Sequence, residues 1–262
     1  AVMSQFALET AVQQIAENRW RGELCEGWRV GEVLNGGYLL AVAGRALVEA
    51  LPHPDPLTVT GYFLAPTGLG PVECEVTPLR SSRNTSYASL TMYQADQPVL
   101  QVTAAYGDLD KLKGEDWSAA ERPGIPAFED CPVTRQRVLE IRHRAEIRVV
   151  EGAEVFTERA TTGTGRLTGW TRHADGADTD ALSLLMFSDA FPPPIFTIYG
   201  PRHWVPTMEL TVQVRARPAS GPLQVCLASR HLTRGVLEED GRFWDSEGQL
   251  VAISRQTARL RL

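Results

Sequence analysis

The chain has 262 residues, 43% of them hydrophobic and 22% charged, with a formal net charge of −6 at pH 7. That length suits one large domain or two of about 100–150 residues, and the composition is that of an ordinary globular chain. An acidic balance excludes a general nucleic-acid surface, and the most apolar stretch falls short of the about 20 residues that a membrane helix needs.

In chain order, residues 4–16 read as a short helix, and a strand follows around WRGELCEGWRV. LNGGYLLAVAGRALVEAL, residues 34–51, is a strong helix from Tyr38 onward, with only Arg45 and Glu49 charged. A helix apolar nearly all round is buried on most sides. Ala41, Ala43, Gly44 and Ala46 are small, so a neighbour packs closely, as a curved sheet wrapped around the helix would. PHPDP (52–56) forces a turn. LTVTGYFLAP reads as a strand, and PVECEVTPL sets Val72, Cys74 and Val76 on one face against Glu73, Glu75 and Thr77 on the other. That is period-two alternation. SYASLTMY and PVLQVTAAYG follow, joined by QADQ. Residues 108–135 are charged and proline-bearing with little periodicity, and a second strand set begins near Arg144. The units are therefore drawn as 1–110 and 141–262, with a linker at 111–140.

The second half repeats the first. LTVTGYFLAPTGLGPVECEVTPLRSSR lies over LTVQVRARPASGPLQVCLASRHLTR, matching Pro66 to Pro218, Gly70-Pro71 to Gly221-Pro222 and Arg83 to Arg234. QADQPVLQVTAAY lies over DSEGQLVAISRQ, and YLLAVAGRAL over SLLMFSDAFP. Each half thus reads strand, buried helix, then about four antiparallel strands. The predicted class is α+β, with two such units pairing their sheets around one core.

This order resembles the hotdog fold in tandem, the double hotdog. NGGYLLAVAGRAL, VTGYFLAPTGLGPVECEV, FSDAFPPP, PTMELTV and DSEGQLVAISRQ together resemble the thioesterase II family of acyl-CoA thioesterases over nearly the whole chain. The resemblance implies hydrolysis of an acyl-CoA thioester by water held on an Asp, hydroxyl and Gln triad, without metal or cofactor. It also implies chains that can pair further into dimers or higher oligomers. Segment by segment, the triad falls on Asp189, Thr207 and Gln256. Their first-half counterparts are Gly44, about Asp55, and Tyr106, so one hydrolytic centre per chain is expected.

The chemistry is sound on its own terms. Water attacking a thioester carbonyl needs a general base, best with a raised pKa. An apolar helix surface around Asp189 would desolvate its carboxyl and push the pKa up. Asn35 is a good N-cap. Gly36 and Gly37 either bare helix N–H groups for a ligand carbonyl or phosphate or let a neighbouring strand press close, and the sequence leaves both readings open. Arg80 and Arg83, with Arg230 and Arg234 in the second copy, are candidates for the phosphates of coenzyme A.

Two rivals stand beside this reading. A hotdog hydratase or dehydratase would need an Asp/His motif, and no Asn-Pro-x-His follows Gly107-Asp108. A hotdog that binds acyl-CoA or another apolar ligand without turnover is kept open by Glu209, where Asp is usual, and by the diverged loop after Asp189. There is no GxSxG elbow. Cys25, Cys74, Cys131 and Cys226 are scattered and the five histidines show no metal spacing. The cysteines read as buried thiols, and AVMSQFALET carries no basic segment followed by an apolar core, which together point to the cytoplasm.

Overall fold

The computed structural model describes residues 3–134 and 139–261. In the first half these form α1 (Gln5–Glu9), β1 (Val12–Ala16), β2 (Arg19–Leu24), β3 (Arg29–Val30), β4 (Val33–Leu34), α2 (Gly36–Ala50), β5 (Asp55–Phe63), β6 (Gly70–Ser81), β7 (Ser86–Gln94) and β8 (Gln97–Gly107). The second half holds β9 (Ala145–Glu151), α3 (Glu154–Thr157), β10 (Arg166–His173), α4 (Ala181–Phe187), α5 (Phe196–Tyr199), β11 (Thr207–Val214), β12 (Leu223–Ala228), β13 (Leu232–Thr233), β14 (Val236–Trp244) and β15 (Leu250–Arg259). Residues 112–127 run between the halves without helix or strand. Of the predicted linker, 135–138 lie outside the described residues.

Helix α2 is made by burial. The Asn35 side chain caps it by accepting the Tyr38 N–H at 2.9 Å, and Pro52 follows its C-cap Leu51. A helix of this length is marginal alone in water. Ten of its 15 residues are buried, and each fully buried Leu contributes roughly 1.5–3 kcal/mol. It touches β5, β6, β7 and β8, four strands that only a curved sheet brings to one helix. The strands keep the predicted alternation, with Val72, Cys74 and Val76 inward. Ala95 and Asp96 both take left-handed φ, 49° and 64°, in the β7–β8 turn, matching the twist of a two-residue hairpin.

The helix predicted over residues 4–16 is corrected. Only Gln5–Glu9 is helical, and residues 12–16 form strand β1, paired antiparallel with β2. Asn18, at φ 57°, closes that hairpin. The segment is mostly exposed, so it has no apolar face to bury as a helix and serves as a polar sheet edge. Cys25 is also corrected. It is half-buried, where β2 gives way to a 3₁₀ turn at Glu26–Trp28, while the other three cysteines are buried.

The long sheet runs β1-β2-β6-β7-β8-β5-β11-β15-β14-β12-β10-β9, with β13 paired to β14. Its first six strands come from the first half and the rest from the second. The two meet at the antiparallel pair β5·β11, where Thr60 and Thr211 lie opposite each other with hydroxyl oxygens 2.9 Å apart. One hydrophobic core spans both halves. This is the double hotdog arrangement, with one helix wrapped by each half-sheet.

Inside it α2 and α4 pack antiparallel and very close. A Cβ on Gly37 would sit 2.6 Å from the Met186 carbonyl oxygen, and one on Gly44 2.9 Å from methyl carbons of Leu182 and Leu185. Gly37 and Gly44 therefore admit the other helix, while a Cβ on Gly36 would sit 2.9 Å from ring carbons of Phe63 at the end of strand β5. The repeat is visible in the same place. Gly44 is nine residues past the N-cap Asn35, as Asp189 is nine past the N-cap Asp180. Tyr106, the counterpart of Gln256, is fully buried and donates its hydroxyl to the Gly44 carbonyl at 3.0 Å.

Gly37→Ala is expected to destabilise the protein by about 1–2 kcal/mol, because overpacking against rigid backbone costs more than the roughly 1 kcal/mol of helix propensity that Ala adds. Urea denaturation should show a lower midpoint at unchanged m-value. A variant as stable as the parent would mean that the two helices can move apart freely.

Candidate active site

Asp189 sits in the turn directly after α4, and the neighbouring mouth of α2 holds its carboxyl. Oδ2 accepts the Gly37 N–H at 3.1 Å and the Asn35 Nδ2–H at 3.1 Å, while the same Asn35 amide donates to the Asp189 backbone carbonyl at 2.7 Å. Asn35 thus does two jobs, since its Oδ1 caps α2 as its Nδ2 grips the Asp189 turn. Burial is the largest influence on Asp189 and raises its pKa to about 6, against the pull of the Gly37 and Gly36 N–H groups and the Gln256 amide. The carboxyl is half-buried and opens on a cavity rather than on bulk solvent.

Thr207 opens β11, and Gln256 lies near the end of β15, so the antiparallel pairing of these strands sets the two side by side. The Thr207 hydroxyl donates to Gln256 Oε1 at 2.6 Å. With its proton committed there, Thr207 keeps lone pairs for a further donor. The Gln256 Nε2 donates in turn to Glu239 Oε1 at 2.9 Å, across the β14–β15 ladder where Glu239 and Gln256 are directly paired. Gln256 and Glu239 are 5% and 4% exposed. Burial first, and the Asp189 charge second, raise the Glu239 pKa to about 8, so it is mostly protonated near neutrality. The network therefore carries one net charge at pH 7, on Asp189, rather than two.

The cavity beside this network has a volume of about 910 Å³, within the usual range for a small-molecule site. Both halves line it. Asn35, Gly36 and Phe63 come from the first half, Asp189, Phe191 and Thr207 from the second. Of the residues singled out in the sequence, Asp189, Thr207, Asn35 and Gly36 reach the cavity wall, and Gln256 stands behind Thr207. Gly37 does not face the cavity, because its N–H is spent on Asp189. Arg80 and Arg83 are not brought to it either. The Arg83 carbonyl lies 3.1 Å from His53 Nε2, just past the C-terminal end of α2, and a 15-residue helix puts that end about 22 Å from the mouth where Asp189 binds.

Four wall or network residues escaped the sequence reading. Arg259 and Arg261 border the cavity beside Trp204, whose carbonyl accepts the Arg261 N–H at 2.9 Å. Arg142 borders it from a 3₁₀ turn, Glu140–His143. Glu239 left a readable trace, because VLEEDGRFW alternates Leu237, Glu239, Gly241 and Phe243 onto the buried face. A carboxylate at an inward strand position needs a partner or a proton. Among the described residues, no cluster of His, Cys, Asp and Glu is arranged to hold a metal ion, and no helix is long and apolar enough to cross a membrane.

Comparison with known proteins matches both halves. The profile of the acyl-CoA thioesterase N-terminal domain matches residues 24–107, and that of the acyl-CoA thioesterase C-terminal domain residues 118–260. A solved structure from Thermobifida fusca, described as a candidate thioesterase II, superposes with a TM-score of 0.91 at 29% identity, covering 100% of this chain and 99% of that one. A protein of unknown function with a hot dog fold from Alicyclobacillus acidocaldarius superposes at 0.90 with 22% identity over the same shares. An uncharacterized protein of Mycobacterium tuberculosis is 26% identical over 264 residues, 91% of this chain and 90% of its own.

Because the folded-state pKa of Glu239 lies above its unfolded value, protonated Glu239 adds stability at low pH that is lost as pH rises through about 8. Glu239→Gln keeps the acceptor for Gln256 and cannot ionise. Its melting temperature relative to the parent should therefore rise between pH 5 and pH 9. An equal offset at both pH values would show that Glu239 is not a buried titrating acid.

Proposed function

The chain belongs to the acyl-CoA thioesterase family, and on that premise we propose that it hydrolyses an acyl-CoA thioester to a free acid and coenzyme A at one centre formed by Asp189, Thr207 and Gln256. The observation that carries the reading is the carboxyl of Asp189. It has a raised pKa, stands on the wall of a largely apolar cavity, and has a hydroxyl with free lone pairs across the same network.

In this mechanism a water donates one hydrogen bond to Asp189 and one to Thr207. Ionised Asp189 takes the first proton as the water oxygen attacks the thioester carbon. The Gly36 and Gly37 N–H groups hold the Asp189 carboxylate, and the positive end of the α2 dipole beside the cavity favours the developing oxyanion. The tetrahedral intermediate then expels the thiolate of coenzyme A, which recovers the proton held by Asp189. Gln256 holds the Thr207 hydroxyl in its accepting orientation, and Glu239 holds Gln256. A neutral Glu239 leaves Asp189 as the single charge of the network, which keeps its ionisation within reach near pH 6. The exposed guanidinium groups of Arg259 and Arg261, with the Trp204 ring beside them, take the phosphates and adenine of coenzyme A in place of Arg80 and Arg83. The first-half equivalents offer no second centre. Gly44 has no carboxyl, Tyr106 is closed onto the Gly44 carbonyl, and the Asp55 carboxylate is paired with Arg217 at 2.9 Å.

Asp189→Asn should lower kcat by about 10²–10⁴-fold in a protein that folds normally, as loss of a general base does. In the parent, the base form builds up above the Asp189 pKa, so kcat/KM should fall about tenfold per pH unit below pH 6. Steady-state rates on a panel of acyl-CoA chain lengths check both. A folded parent that binds acyl-CoA and turns over none of the panel would support the binding protein instead.

Gln256→Met conserves volume and removes the hydrogen bonds to Thr207 and Glu239. If the amide orients the water site, kcat should fall at least about 10-fold while KM changes little. A stable variant with parental kcat would remove Gln256 from the centre.

A further inference from the structure

Arg142 is a cation without a counter-charge among the described residues. It is half-buried, and Nη1 donates to the Ala190 carbonyl at 2.7 Å. Nε is enclosed with no hydrogen-bond partner, and no carboxylate among the described residues lies within ion-pair distance. Nη2 makes no hydrogen bond to a described residue. Burial alone pulls its pKa down to about 10, so it remains charged near neutrality. A guanidinium carries five donors, and an enclosed charge without an ionic partner is costly. The other arginines packed inside the fold do have partners. Arg144 pairs with Glu9 and Arg148 with Glu146.

The position of Arg142 gives this a meaning. It faces the same cavity as Asp189 and Thr207, from the side of β3 and β4, among Val33, Leu34 and Leu139. Arg259 and Arg261 reach that cavity from the other side, next to Thr207, where the Arg259 N–H is bonded to the Pro206 carbonyl. The residue that anchors Arg142 is the one directly after Asp189, and consecutive Cα atoms are only about 3.8 Å apart. The guanidinium is thus held within a short acyl chain's reach of the thioester carbon. The phosphates of coenzyme A lie a full pantetheine arm away from the sulfur and cannot meet a cation so close to Asp189.

We propose that Arg142 is a carboxylate subsite, and that this enzyme acts on thioesters of short dicarboxylic acids whose free carboxylate is taken by the Arg142 guanidinium. The proposal rests on the hydrolytic reading of the same cavity. A bidentate carboxylate would satisfy the unused donors and supply the missing counter-charge. A purely aliphatic chain would leave the charge uncompensated and add the cost of removing any water that solvates it.

The test compares glutaryl with pentanoyl thioesters, each as the coenzyme A ester and as the N-acetylcysteamine ester, which has no phosphate. The parent should favour glutaryl in kcat/KM in both series. Arg142→Met should lower the glutaryl-to-pentanoyl ratio by about 10- to 100-fold, the loss of a charge-assisted contact, and Arg142→Lys should recover part of it. No glutaryl preference in the parent, or an unmoved ratio in Arg142→Met, overturns the proposal. A loss confined to the coenzyme A series also overturns it, since Arg142 would then be reading phosphate. If the parent hydrolyses neither ester but turns over other acyl-CoAs, the proposal is overturned; if it turns over no acyl-CoA of the panel, the hydrolytic reading fails, and the subsite is judged by thermal melts with free glutarate. Glutarate should raise the melting temperature of the parent and not of Arg142→Met, and no rise in the parent overturns the subsite. Arg142→Met without ligand should melt no lower than the parent. A fall of several degrees would mark Arg142 as a packing residue and overturn the proposal.

Discussion

The contact between the mouth of α2 and the end of α4 is the constraint on which the rest depends. Two helices can meet this closely only where side chains are missing, and Gly37 and Gly44 are missing them at both ends of the contact. The approach delivers the turn after α4 onto the N–H groups of α2, so a carboxyl on that turn is held by backbone donors. The sheet follows from the same arrangement. Two antiparallel helices sharing one core need their half-sheets joined edge to edge, and β5 and β11 provide the join.

The electrostatics of the site follow from burial acting on two carboxyls at once. Asp189 and Glu239 lie close enough that the charge of one raises the pKa of the other. Both are withdrawn from bulk solvent, so two charges could not be sustained together cheaply. The proton stays on Glu239 because its only side-chain partner among the described residues is the Gln256 amide, whereas Asp189 also has helix-mouth donors to stabilise its charge. Gln256 stands between them with its amide orientation set from both ends, oxygen toward Thr207 and nitrogen toward Glu239.

Much of this was legible in the residues. The buried helix showed as a run without a polar face, the strands as clean alternation, and the two-unit architecture as a repeat whose prolines and glycines line up. What escaped was context. Residues 12–16 have weak local preferences, and only pairing with β2 makes them a strand. Arg83 lines up with Arg234 in the repeat, but which end of a strand faces a cavity is set by topology. Arg142 lies in a 3₁₀ turn without periodicity, and its isolation from the carboxylates of the described residues exists only in three dimensions. The glycine pair illustrates the limit well. Its small size was evident, and whether a ligand, a strand or a helix end would use the space was not.

The Tyr106–Gly44 contact has a consequence for how such a molecule can change. In a pair of identical subunits related by a twofold axis, every substitution is made twice, and a residue useful at one end of the interface is imposed on the other. Here the two copies are covalently joined and no longer alike, so each side of the shared groove can diverge alone. In the first copy a glycine stands at the position matching Asp189, and a buried phenol ring closes onto its carbonyl. A change in the proline-rich segment after Asp189 thus alters one wall of the groove and leaves the wall built by the first copy as it was.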